Sequence, residues 1–276
     1  MALMHVDFFS NALGMCTQMD VILPQQTRGQ IGMEGKAGDR FPTLFLLHGM
    51  SDDHTIWQRR TSIERYVADL NLAVVMPTTH LAWYSDTQYG YRYWEYISHE
   101  LPEICRSFFR GMSDRREDTF AAGLSMGGYG AFKLGLRASD TFSAAASLSG
   151  GLDIVDTISA ERHVGNQPLW RGIFGDPASV PGSDNDLFAL SEKLKASGKP
   201  LPKLFMWCGT EDFLYQQNLK MRDHLNGLGY DLTYRETPGD HQWCYWDREI
   251  QNVLKWLRFL YKGIIINHNK NRASLH

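Results

Sequence analysis

Residues 119–137 read TFAAGLSMGGYGAFKLGLR. The first six read as a strand. The last twelve read as a helix. Ser125 stands at the junction, inside Gly123-Leu124-Ser125-Met126-Gly127, which is G-x-S-x-G placed between strand and helix. A serine held in so sharp a turn leaves no room for side chains two residues before or after it, hence the glycines. The helix start aims free N–H groups and the positive end of its dipole at the same point. A chance match in a Gly-rich turn is the competing use of the pattern.

Outward from this point, strands and helices alternate. Residues 17–23 (TQMDVIL), 43–47 (TLFLL) and 72–76 (LAVVM) read as strands on the N-terminal side; residues 62–70 and 93–109 read as helices. Pro102 is expected to kink the second of these or to mark its true start. On the C-terminal side, residues 143–148, 203–208 (KLFMWC) and 232–236 (LTYRE) read as strands, and 213–228 and 243–261 as helices. The alternation predicts an α/β sandwich with a mostly parallel sheet. Residues 27–40 read as a surface loop. Residues 151–186, rich in Gly, Pro, Ser and Asp, break the rhythm and read as an insertion able to cover a pocket. The expected organisation is a single domain over 1–262, carrying that cap-like insertion, with a loosely attached tail over 263–276.

The 276 residues carry a formal net charge of −3 and no basic stripe, which argues against nucleic acid as a partner. No run approaches the roughly 20 apolar residues of a membrane span. The N-terminus lacks the pattern of a secretory signal, so a cytoplasmic protein is expected. Four scattered cysteines, Cys16, Cys105, Cys208 and Cys244, show no metal spacing and read as reduced thiols. No cofactor is expected.

A serine hydroxyl needs a base to become a nucleophile near neutral pH. In sheets of this kind the partners follow in the order serine, acid, histidine. Strand 203–208 runs into Gly209-Thr210-Glu211-Asp212, which offers Asp212 as the acid, with Glu211 as its rival and a helix N-cap as the competing role for Asp212. The loop after 232–236 offers His241 as the base. His54, His80 and His99 precede the serine in the chain, and His163 falls in the insertion. The backbone N–H groups of Met126, and of Met50 in the loop His48-Gly49-Met50, are the expected donors to a tetrahedral oxyanion. His48 itself reads as a structural hydrogen-bonding group.

FFSNALGMCTQMDVILP, LFLLHGMSDDHTIW, GLSMGGYGAFKLGLR, CGTEDFLYQQN and GDHQWCYWD occur in this order along the chain. With these segments the sequence resembles the esterase D-related branch of the α/β-hydrolases, and within it the bacterial tributyrin esterase (EstA-like) group. The resemblance implies the α/β-hydrolase fold and a cofactor-independent carboxylesterase acting on a small-molecule, short-chain acyl ester. It carries Ser125, Asp212 and His241 as a triad, with Met50 and Met126 at the oxyanion hole. It is compatible with a homo-oligomer. Such families include S-formylglutathione hydrolases and feruloyl or acetyl-xylan esterases; HGMSDDH lacks the cysteine expected in that loop of a formylglutathione hydrolase. Transfer of the acyl group to an alcohol is the alternative to hydrolysis, as in the related mycolyltransferases, and a non-catalytic binding protein is the third reading. Trp57, Trp170, Phe174 and Trp243 are the aromatic candidates for contact with substrate. Packing of the insertion competes for Trp170 and Phe174.

Overall fold

The computed structural model describes residues 1–29, 37–159 and 167–273, with backbone alone at 259 and from 261 onward. Part of the loop expected over 27–40, and His163, lie outside the described residues. Eight strands form one sheet in the order β1-β2-β4-β3-β5-β6-β7-β8: β1 (Ala2–Ser10), β2 (Met15–Leu23), β3 (Thr43–Leu47), β4 (Ala73–Pro77), β5 (Thr119–Leu124), β6 (Ala144–Leu148), β7 (Lys203–Gly209) and β8 (Leu232–Thr237). From β4 to β8 across the sheet every pairing is parallel; β2 runs antiparallel to both β1 and β4.

The helices are α1 (Ile56–Arg60), α2 (Ile63–Val67), α3 (Tyr93–Glu95), α4 (Leu101–Phe108), α5 (Met126–Arg137), α6 (Ile154–Ser159), α7 (Gln167–Phe174), α8 (Leu187–Ser197), α9 (Tyr215–Gly227) and α10 (Trp243–Ala273). They cover both faces of the sheet, which is why β3, β4, β5 and β6 are predominantly apolar and buried at every residue. One core cluster joins the sheet to α4, α5 and α8 (Phe45, Phe132, Phe142, Leu190). The other joins it to α1, α2 and α10 (Trp57, Val67, Phe120, Ile250). Small residues in β6 let α5 come close: a Cβ on Gly135 would stand 2.9 Å from Cβ of Ala145. This is the α/β-hydrolase architecture. Among the described residues, no helix is long and apolar enough to cross a membrane.

Three elements differ from expectation. The N-terminal strand β1 was not read from sequence; it is an edge strand with mostly exposed side chains, held by β2. The turn between them is closed by the Glu100 carboxylate, which accepts from Ser10 Oγ and from the N–H groups of Asn11 and Ala12. The helix expected over 93–109 is interrupted by a π-helical turn, Tyr96–Glu100, before α4. That turn lies just ahead of Pro102, which has no N–H for the regular ladder. The closing helix, expected to stop at 261, continues through Ala273. Within the 151–186 segment lie α6 and α7.

Candidate active site

The carboxyl ends of β3, β5, β7 and β8 converge, where ligands gather in open parallel sheets. β5 delivers Ser125, whose backbone is strained into left-handed space (φ 52°, ψ −118°). The glycine requirement has a spatial basis. A Cβ at 123 would overlap the Gly127 carbonyl, and one at 127 would stand 2.5 Å from Leu47 O and 2.6 Å from His48 O. The end of β3 is thereby pressed against the start of α5.

The turn after β7 carries Asp212, whose side chain is fully buried. Its Oδ1 accepts the Leu214 N–H at 2.9 Å, and its Oδ2 lies 2.8 Å from His241 Nδ1. His241, in the loop after β8, places Nε2 3.0 Å from Ser125 Oγ. One imidazole thus spans a hydroxyl 116 residues away and a carboxylate 29 residues away. With the proton on Nδ1 held by Asp212, Nε2 is free to accept from Ser125. Glu211, the rival acid, turns outward: it accepts from the Gly239 N–H and from Thr210 Oγ1, bracing the loop that carries His241.

Met126 opens α5 as its first residue, where N–H groups have no acceptor inside the helix. Met50 sits half-buried on the turn that follows β3. His48, just before it, is buried. Its Nδ1 donates to Gly49 O at 2.7 Å and its Nε2 accepts the Thr79 N–H at 3.0 Å. Burial pushes its pKa down to about 4, so it stays neutral and pins the loop.

The aromatic candidates fall into two groups. Trp57 is 1 % exposed and offers substrate no surface; its Nε1 donates to Leu47 O at 2.9 Å, beneath the site. Trp243 stands against it edge to face (centroids 5.2 Å), and Trp246 stands in the same way against Trp243 (5.3 Å) and His241 (4.8 Å). Trp170 and Phe174 are buried in the packing of α7 onto the body, with Trp170 5.5 Å from Trp83. Two neighbours of the imidazole were not read from sequence. Phe213 is 58 % exposed, with its ring 4.5 Å from the imidazole of His241; its position directly after Asp212 was the available signal. Trp246 lies on the first turn of α10, five residues past His241.

Residues 10–257 match the family model described as putative esterase. Over 262 residues the chain is 34 % identical to the acetyl esterase of Caldicellulosiruptor saccharolyticus, covering 93 % of this chain and 98 % of that one. Among solved structures, substrate-bound FphF, a fluorophosphonate-binding serine hydrolase of Staphylococcus aureus, is similar with a TM-score of 0.83. It has 35 % identity over 93 % of this chain and 98 % of its own. The S-formylglutathione hydrolase FrmB of the same organism, as apoenzyme, gives 0.81 at the same identity and coverage.

Proposed function

The chain belongs to the putative-esterase family and is a serine hydrolase of small acyl esters, and on that premise we propose that Ser125, His241 and Asp212 are its catalytic triad. The observation that carries the assignment is the bridging imidazole, 3.0 Å from one partner and 2.8 Å from the other. Ser125 Oγ attacks the acyl carbonyl carbon as His241 Nε2 takes its proton. The N–H groups of Met50 and Met126 receive the negative oxygen of the tetrahedral intermediate. His241 then returns the proton to the departing alcohol, leaving an acyl-enzyme. Water repeats the sequence and releases the acid.

The finer reading is a short-chain carboxylesterase of the tributyrin esterase kind. The acetyl esterase among its relatives, 34 % identical, supports short acyl groups. Four unpaired thiols suit the reducing cytoplasm, which completes the proposal.

The test is a substrate panel with site mapping. Nitrophenyl esters from acetate to octanoate, tributyrin, an acetylated sugar, methyl ferulate and S-formylglutathione would be compared by kcat/KM, with and without an acceptor alcohol. A fluorophosphonate probe would be located by peptide mass spectrometry. Highest turnover on two- to four-carbon acyl esters and label on Ser125 are expected. Label on another residue would overturn the triad; preference for octanoate would overturn the short-chain reading.

A further inference from the structure

α5 carries Tyr129, Lys133 and Arg137 at four-residue spacing, so they share one face of the helix. All three reach the end of the 151–186 segment. The Tyr129 hydroxyl donates to Asn185 O at 2.8 Å, the Lys133 ammonium donates to Asn185 Oδ1 at 2.7 Å, and Arg137 pairs with Asp184 at 3.0 Å. Lys133 also donates to Tyr84 O at 3.1 Å and to Ser85 Oγ at 2.6 Å, which uses all three of its N–H bonds. One side chain thereby joins three segments distant in sequence.

Lys133 is fully buried, and every acceptor it meets is neutral. The rings of Trp94 and Tyr129 lie 5.2 and 5.6 Å from its Nζ. Burial pushes its pKa well below the ordinary lysine range. A buried ammonium without a carboxylate beside it is a poor way to gain stability, since an apolar side chain of the same length fills the space without the desolvation cost. What it holds is itself strained. Trp83 and Tyr84 both occupy left-handed backbone space (φ 48° and 50°). Lys133 caps the Tyr84 carbonyl, and the Tyr84 hydroxyl donates to His48 O at 2.8 Å, at the root of the Met50 loop.

The strained turn delivers the Trp83 indole to the neighbourhood of the nucleophile. Its ring tip lies against Gly151, where a Cβ would meet it at 3.0 Å, and the Gly151 N–H donates to Ser125 O at 3.2 Å. Tyr129 and Trp170 flank the indole at 5.6 and 5.5 Å, and its buried Nε1 has no hydrogen-bond partner among the described residues.

We propose that Lys133 is a positioning residue that sets the acyl-size limit of the Ser125 site. It clamps the Trp83–Tyr84 turn and the Asp184–Asn185 end of the 151–186 segment onto α5, and so fixes the Trp83 indole as a wall beside the nucleophile. The inference rests on the reading of Ser125 as nucleophile.

The experiment uses the full chain with Lys133→Met, Trp83→Ala, the double variant and Asn185→Ala. For each, kcat and KM are measured on nitrophenyl acetate, butyrate, hexanoate and octanoate, alongside a melting curve and fluorophosphonate labelling. Lys133→Met is expected to raise the octanoate-to-acetate ratio of kcat/KM at least about tenfold, and Trp83→Ala to do the same. The double variant should shift the ratio no further than Trp83→Ala alone, because Lys133 acts through that ring. Asn185→Ala, which keeps the cation and removes one acceptor, should shift it in the same direction about threefold; it decides the matter if Lys133→Met does not fold. A lowered melting temperature with an unchanged ratio would mean a structural role only and would overturn the proposal, as would additive shifts in the double variant. A wild-type chain that the probe fails to label would overturn the nucleophile reading and this one with it. Labelled variants with an unchanged ratio overturn the clamp alone.

Discussion

Replacing Asp212 by asparagine tests the acid assignment, because the surroundings penalise both orientations of the amide. If the amide oxygen keeps the Leu214 N–H, 2.9 Å from Oδ1 in the native chain, the NH2 group points at His241 Nδ1. The imidazole then carries its proton on Nε2 and cannot accept one from Ser125. If the amide turns over, Nδ1–H regains an acceptor, but the Leu214 N–H faces a donor in a fully buried site. That mismatch costs about 1–3 kcal/mol. In either case the carboxylate charge that steadies the imidazolium in the transition state is gone, and a charge-assisted hydrogen bond with it. Together these predict a fall in kcat/KM of about 10³ to 10⁴, or about 4–5.5 kcal/mol at 1.36 kcal/mol per decade. The assay is steady-state hydrolysis of nitrophenyl butyrate by Asp212→Asn and Glu211→Gln in parallel, with circular dichroism to confirm folding. Glu211→Gln keeps an oxygen to accept the Gly239 N–H and should stay within about tenfold of wild type. Near-normal turnover by Asp212→Asn together with an inactive Glu211→Gln would refute the reasoning.

Three further outcomes follow from the geometry. Ser125→Ala should lower turnover at least about 10³-fold while leaving the melting curve close to wild type; residual activity within tenfold would place the nucleophile elsewhere. Gly127→Ala puts a methyl 2.5 Å from Leu47 O, so β3 and α5 must part. Both stability and turnover should drop, by about 1–3 kcal/mol in urea denaturation, and a variant with native values would show that the elbow has slack. For His48, the unfolded chain binds a proton near pH 6.5 and the folded chain only near 4, so acid favours unfolding between those values. Its contribution is complete above about pH 6.5 and falls by about 3 kcal/mol by pH 4. His48→Gln, which can still accept the Thr79 N–H, should flatten that part of the stability–pH curve; an unchanged slope would assign the acid sensitivity to other groups.

Local pattern made several parts of this protein legible in advance. β3, β4 and β5 are buried on both faces, so apolar residues dominate them and mark them in the sequence. Ser125 announces itself because the steric demands of its turn are met by near neighbours in the chain, Gly123 and Gly127. Asp212 and His241 were reachable through order along the chain, since each follows a strand at the same end of a parallel sheet. β1 escaped notice because an edge strand with one partner leaves mostly exposed, weakly patterned side chains. The π-helical turn before Pro102 escaped for another reason: the proline announces a disruption, but the packing around it decides whether the helix kinks, restarts or bulges.

By itself, then, the sequence determined what depends on short-range sterics and periodicity: the α/β alternation, the serine turn, and the short set of residues available as acid and base. Only the folded chain decided between Asp212 and Glu211 as neighbour of the imidazole, by burying one carboxylate against His241 and turning its neighbour toward Gly239. It alone made Trp57 a support beneath Leu47, brought Trp83 beside Gly151, and gathered three neutral acceptors around Lys133. These are contacts between segments tens to more than a hundred residues apart. No local pattern encodes them, because their energy comes from desolvation and hydrogen bonding that exist only once the layers have packed.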